Sequence, residues 1–240
     1  MDIVCSEDEL KLFRTIGAAA ATLKVDCYLI GGFVRDKLLG RPTKDVDIVC
    51  TGDGIELAHA VANTFPHKPH VSFFKIFGTA QFRLHGLDVE FVGARKESYT
   101  HNSRKPQVEA GTIEDDQRRR DFTINALAIS LNEGDYGKLV DPFGGVADLE
   151  SKIIKTPLDP DTTFSDDPLR MMRAIRFATQ LNFQIVPEVF ESIERNRERI
   201  KIVSQERITD ELNKIMAAAK PSVGLDLLFR NRLLHEFFPQ

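Results

Sequence analysis

Apolar positions recur along this chain in two different periods. Near the N-terminus Leu10, Phe13, Ile16, Ala20 and Leu23 follow helical spacing, and Ser6 with Glu9 forms a capping box ahead of them. A first amphipathic helix is expected there. Shorter runs follow. Cys27–Ile30 reads as a buried strand, Gly31–Gly32 as a turn, Val34–Leu39 as a short helix closed by Gly40-Arg41-Pro42, and Val46–Cys50 as a second strand. Ile55–Phe65 has helical spacing, with Leu57, Ala58, Val61 and Phe65 inward. Phe73–Phe77, Thr79–Leu84 and Leu87–Val92 read as strands, with His85-Gly86 as a hairpin turn. Residues 96–117, which include Arg104, Lys105, Pro106 and Gly111, are polar and rich in turn formers, and read as a mobile loop. Phe122–Ser130 is expected to pass from helix to strand, and Asp141-Pro142-Phe143-Gly144-Gly145 to turn.

After about residue 155 the pattern changes. Pro168–Leu181, Pro187–Arg197, Ser204–Ala219 and Pro221–Leu234 are helix-like, and strand candidates become few. The expectation is an α/β head over 1–155, a small mixed sheet flanked by helices, followed by an all-α neck over 156–240. With 240 residues, 42% hydrophobic and 28% charged, the composition is that of an ordinary globular protein. No apolar run approaches the roughly 20 residues that span a bilayer. The acidic start MDIVCSEDEL has no signal-peptide plan, so no membrane partner is expected. Cys5, Cys27 and Cys50 lack metal-site spacing and read as reduced thiols of a cytoplasmic protein. A net charge of −4 excludes a generic polyanion binder and counts against a protein that coats RNA, so any nucleic-acid contact must come from local basic clusters.

Such clusters exist, and they accompany candidate chemistry. Asp45 and Asp47 stand two apart on a strand and therefore share a face. Two carboxylates so close repel, and a hard divalent cation relieves that repulsion. Gly31, Gly32 and Arg35 lie just upstream, and glycine-rich backbone with arginine can hold phosphates. Together these suggest metal-assisted phosphoryl or nucleotidyl transfer. Asp88 and Glu90 share a face of a later strand, where Glu90 reads either as a third acid or as an edge-strand surface acid. The run Arg118-Arg119-Arg120 in isolation would be a solvated face, but it leads into an apolar element carrying Asp121 and Asn125, four apart and expected on one helix face. Arg170, Arg173 and Arg176 recur every three residues as a drifting helical stripe, with Asp167 three before Arg170. Asp accepts from base amino groups and Arg donates to base acceptors, so that pair can read a Watson–Crick edge.

The string Gly31-Gly-Phe-Val-Arg35-Asp36-Lys-Leu-Leu-Gly40 followed by Asp45-Val-Asp47 resembles the signature of the class II nucleotidyltransferases acting on RNA ends, the tRNA CCA-adding enzymes and bacterial poly(A) polymerases. Arg119-Arg-Asp-Phe-Thr-Ile-Asn125-Ala resembles the family's RRDFTxNA motif, and Asp166-Asp167-Pro-Leu-Arg170 its EDxxR motif with Asp166 in place of Glu. Glu206-Arg207-Ile-Thr-Asp-Glu211-Leu resembles its ERIxxEL neck helix, where Arg207 and Glu211 read as a structural i,i+4 pair. The resemblance covers about residues 25–217. It implies a nucleotidyltransferase fold with a five-stranded sheet in the head.

The resemblance also implies roles. An RNA 3′-hydroxyl would attack the α-phosphate of CTP or ATP and release pyrophosphate. Asp45 and Asp47 would hold two Mg²⁺ ions, with Glu90 beside them as the third catalytic acid. Gly31, Gly32, Arg35, Arg120, Arg173 and Arg176 would face the nucleotide's phosphates. Asp121 would accept from the ribose, Asn125 would hold the site together, and Asp167 and Arg170 would read the base. Phe77-Gly-Thr-Ala80 follows the CCA-adding pattern, and 96–117 is long enough for the loop that switches addition from C to A. The expected function is therefore CCA addition to a tRNA 3′ end. Poly(A) synthesis, addition of CC or A alone, and a non-catalytic nucleotide- or RNA-binding module are the alternatives. Family members usually continue into helical domains that grip the tRNA, so nucleotide binding with weak tRNA affinity is expected of residues 1–240. No histidine pair or His-Asp dipeptide suggests a second activity.

Overall fold

The computed structural model describes residues 1–75, 78–98 and 107–238. Two units of packing divide it. The first comprises Met1–Glu97, Val108–Arg118 and Asn125–Gly145, the second Ser98–Gln107, Arg119–Ile124 and Val146–Gln240.

In the first unit α1 (Glu7–Leu23) is followed by β1 (Cys27–Ile30), α2 (Gly32–Leu38), β2 (Asp45–Cys50), α3 (Gly54–Asn63), β3 (Ser72–Phe74), β4 (Thr79–Leu84) and β5 (Leu87–Gly93). Then come β6 (Arg95–Ser98), β7 (Gln107–Ala110), α4 (Ile113–Arg118), β8 (Ala128–Ser130) and β9 (Leu139–Val140). The capping box of α1 forms as expected: Ser6 Oγ accepts from the Glu9 amide and the Ser6 amide donates to the Glu9 carboxylate. Its buried face is Leu12, Phe13, Ile16, Ala19 and Ala20, while Leu10 and Leu23 are only half-buried. The reason is Glu9. It is buried because Lys37 of α2 donates to it at 2.8 Å, and this turns the helix face toward α2.

The sheet has seven strands in the order β3-β4-β5-β2-β1-β8-β9. That exceeds the five expected, because the end of the 122–130 run adds β8 to the free edge of β1, and β9 follows. Only β2 and β5 pair in parallel within it; the other pairs are antiparallel. His85 and Gly86 both take positive φ, as a two-residue hairpin between right-twisted strands requires. One sheet face carries Leu29, Ile48, Phe82 and Phe91, all buried, and is closed by the apolar faces of α1 and α3. On the other face Ile30, Val49, Ala94 and Ala128 form a smaller cluster with Val92, Val140 and Ile113 of α4.

The reading of 96–117 as one loop is corrected. β6 and β7 form a two-stranded sheet and 113–118 is helical. β6 is Arg-Lys-Glu-Ser, with no apolar residue, and β7 is only four residues long, too short for its alternation to stand out. Arg104, Lys105 and Pro106 lie outside the described residues, as do Ile76 and Phe77.

The second unit is mostly helical: α5 (Gly145–Ser151), α6 (Pro160–Asp166), α7 (Leu169–Leu181), α8 (Pro187–Asn196), α9 (Gln205–Met216), α10 (Pro221–Arg230) and α11 (Leu234–Phe237), with β10 (Ile153–Ile154) pairing in parallel with β11 (Gln184–Ile185). α7 is central and buries Leu169, Met171, Met172, Ala174, Ile175, Phe177 and Ala178. The sequence pattern misses α6, which is too short for a period but is capped by Asp159 accepting from the Thr162 amide at 2.8 Å. Asp161 ties α6 to α8 by accepting from Ser192, Arg195 and Asn196.

Candidate active site

In the first unit the parallel pairing of β2 with β5 decides the arrangement of acids. Asp45 is in register with Asp88, and Asp47 with Glu90. All four carboxylates therefore project from one sheet face, in adjacent strands about 4.8 Å apart. Two residues further along, the same rows become Val49 and Val92, part of the apolar cluster under α4. The acids thus occupy the beginnings of both strands, at the open end of a face whose other end is dry. Asp45 and Glu90 are exposed and Asp47 half-buried. Asp88 is claimed by Arg83 of β4 through two hydrogen bonds of 2.6 and 3.0 Å, which hold its carboxyl below the usual range.

Two carboxylates at i and i+2, presenting only oxygen, suit Mg²⁺, which prefers one or two carboxylates plus substrate phosphates and water. Among the described residues no group of three His, Cys, Asp or Glu side chains is gathered as a closed cage.

Beside the acids the chain turns at Gly31, whose φ of 76° and ψ of −134° suit glycine alone. Its amide donates to Leu127 O and its carbonyl accepts from Arg35, opening α2 with Gly32 as first residue. Arg35 is buried. Its Nε and Nη2 donate to the carboxylate of Asp36 at 2.9 and 2.8 Å, and its Nη1 donates to Asn125 Oδ1 at 2.7 Å. Arg35 thus brackets the glycine turn to Asn125, and Asn125 is held within the first unit.

Asp121 belongs to the second unit. The expected single helix face for Asp121 and Asn125 is not formed, since only Thr123–Asn125 is helical, as one 3₁₀ turn. Asp121 accepts from the Phe122 amide at 2.8 Å and from Arg173 Nε at 2.7 Å. The Asp121 carboxylate in turn pushes the pKa of Arg173 up. Thr123 anchors the turn on Asp148 at 2.6 Å, and Phe122 packs edge-on against Phe177 of α7. Over the Phe177 ring sit the guanidinium groups of Arg173 and Arg176, at 5.3 and 4.2 Å.

The base-reading candidates are also held. Asp167 Oδ1 accepts from the Leu169 amide at 3.3 Å, and Oδ2 lies 3.6 Å from Arg207. Arg170 donates to Arg119 O at 2.7 Å. The expected Arg207–Glu211 pair is corrected: Arg207 faces Asp167, and buried Glu211 takes Arg176 at 3.0 Å and Lys214 at 3.2 Å. Two side chains of α9 thus hold Arg176 of the stripe and the base-reading candidate Asp167, a structural role reached through other partners than expected. Arg120 is half-buried. Asp36 and Arg83 were not singled out as site residues. Asp36 stands next to Arg35, but only the hairpin register brings Arg83 opposite Asp88.

Residues 27–155 match the family model described as the poly(A) polymerase head domain, and residues 182–240 match one described as "Probable RNA and SrmB- binding site of polymerase A". The chain belongs to the class II CCA-adding enzyme and poly(A) polymerase family. It is 40% identical over 211 residues to the A-adding tRNA nucleotidyltransferase of Aquifex aeolicus, covering 87% of this chain and 25% of that protein. A CCA-adding enzyme in an apo form superposes with a TM-score of 0.89 at 34% identity, covering 98% of this chain and 55% of that one. A tRNA nucleotidyltransferase complexed with a primer tRNA and an incoming ATP analogue gives 0.81 at 35% identity, covering 93% and 62%. The family implies use of a divalent metal ion, which the Asp45–Asp47 pair fits. No described helix is long and apolar enough to cross a membrane.

Proposed function

We propose that this chain adds C and A to the 3′ end of a tRNA from CTP and ATP, releasing pyrophosphate. The observation that carries the proposal is the β2–β5 register, which sets Asp45, Asp47 and Glu90 on one open face beside the Gly31–Gly32 turn. Asp45 and Asp47 would hold two Mg²⁺ ions, which when bound lower the pKa of the attacking hydroxyl and steady the triphosphate and the departing pyrophosphate. Glu90 shapes the acid row next to Asp47. Gly31 and Gly32 bring backbone close to phosphate oxygens, and Arg35 keeps that turn and Asn125 in place. The second unit, the helical neck of the reading, supplies base and ribose recognition. Asp167 and Arg170 accept from and donate to the base edge without a template strand. Asp121 accepts from the ribose. Arg120, Arg173 and Arg176 balance charge that grows on the phosphates. The free thiols fit a reducing cytoplasm.

Addition of A alone is the second reading, favoured by the 40% identity to a relative named A-adding. The test is incorporation of labelled nucleotide into a tRNA lacking its terminal CCA, with Mg²⁺. Wild type is expected to incorporate both CMP and AMP, and Asp45→Ala neither. Incorporation that survives in Asp45→Ala would overturn the assignment of the acid pair, and incorporation of AMP alone would select the second reading.

A further inference from the structure

Among the described residues, the face that carries the acids is covered toward β1 and β8 and open toward β4 and β3. Toward β1 and β8 its next side chains are Ile30 and Ala128, fully buried beneath the cluster that includes Ile113 of α4. Toward β4 and β3 the same face is exposed. Strand register carries the Asp47 row through Glu90 to Gln81 and Ser72, and the Val49 row through Val92 to Thr79 and Phe74. Glu90 and Gln81 are exposed, and Phe74 at the edge is 56% exposed, unusual for a ring on a strand. Arg83 also lies on this half, held against Asp88. Phe73, its neighbour in β3, points to the other face, where its ring meets His59 of α3 at 5.9 Å.

We propose that this open half of the sheet, β5–β4–β3, is the platform for the single-stranded RNA 3′ segment, with Phe74 stacking on a base just upstream of the reacting end. The inference rests on the proposed RNA-end activity and adds to it the side from which the RNA arrives. Phe74 lies three strands from β2, about 14 Å at ~4.8 Å per strand, so a base stacked there is short of the end by a few nucleotides. An exposed aromatic ring beside a polar surface can hold a single strand by stacking without sequence readout, since every base has a π-face. The attacking hydroxyl must reach the acid row, and on the β4–β3 side the described face offers it an exposed approach.

The test compares Phe74→Ala, Phe74→Trp and Phe73→Ala in nucleotide addition to an RNA primer by the full chain, with RNA and nucleotide varied separately. Phe74→Ala is expected to raise the KM for RNA about tenfold and that for CTP or ATP less than twofold. Phe74→Trp should restore the RNA KM. Phe73→Ala, on the same edge strand but the opposite face, should leave it unchanged. An unchanged RNA KM in Phe74→Ala, or equal rises in Phe74→Ala and Phe73→Ala, would overturn the platform while leaving the activity assigned. Self-association that Phe74→Ala abolishes without moving the RNA KM would also overturn it, and would make the strand a contact between copies. A wild type that extends no RNA would remove both the platform and the function beneath it.

Discussion

Single residues carry separable duties in this site. Asp47 is half-buried in register with Glu90, whereas Glu90 is exposed. Asp47→Asn should therefore reduce nucleotide addition to background, while Glu90→Gln should retain measurable turnover; equal losses in steady-state rate would place both acids on the metal. The proposed base readers, Asp167 and Arg170, would act at a different step. Asp167→Ala should lower discrimination between CTP and UTP by at least about tenfold, because a lost hydrogen-bonding partner relaxes rejection of the wrong base. Competition between the two nucleotides at fixed RNA measures this. The thiols give a pH signature of folding. Burial pushes Cys27 up to about 12 and Cys50 to about 11, from an ordinary value of 9.0. Above pH 9 the unfolded chain loses these protons first, so it binds fewer protons than the folded chain, and stability falls as pH rises. The contribution is fully present below pH 9 and lost as pH rises through the folded values of about 11 to 12. Denaturant midpoints measured from pH 8 to 11 should fall less steeply when Cys27 and Cys50 are both alanine.

At the scale of elements, burial decides what an ion pair is worth. Glu211 on α9 is buried and faces Arg176 of α7, which is itself largely buried. Glu211→Ala removes a buried counter-charge from that guanidinium and should destabilise the second unit by about 3 kcal/mol, read by chemical denaturation. The exposed i,i+4 pair Arg118–Glu114 should be worth under about 0.5 kcal/mol. The strands β1, β2, β4 and β5 were legible because their apolar runs are bounded by turn residues and fully buried on one face. The acid pair was legible for the same reason, since i and i+2 on a strand cannot diverge. What stayed hidden is what only tertiary pairing creates. Asp121 and Asn125 have helical spacing, but Phe122 and Ile124 are both buried and the segment makes only a single 3₁₀ turn, so the expected helix does not form. Arg207 and Glu211 also have the spacing of a pair, but Arg207 meets Asp167 at the end of α6 and Glu211 meets Arg176 of α7. Short elements such as β10 and α6 hold too few residues to express a period.

For the whole molecule, the first unit brings the acids and the glycine turn, and the second brings a buried-carboxylate scaffold under a stripe of arginines. Membership of the family follows from matches across both, although the chain spans a quarter of the Aquifex aeolicus relative's length. The most direct measurement of the central claim is the length and sequence of product made on a tRNA lacking its CCA end, with Mg²⁺ and with CTP and ATP supplied singly and together. The account predicts two added residues with CTP alone, three with both, and then a stop. Long A-only tails, or a single A added only to a tRNA already ending in CC, would contradict it.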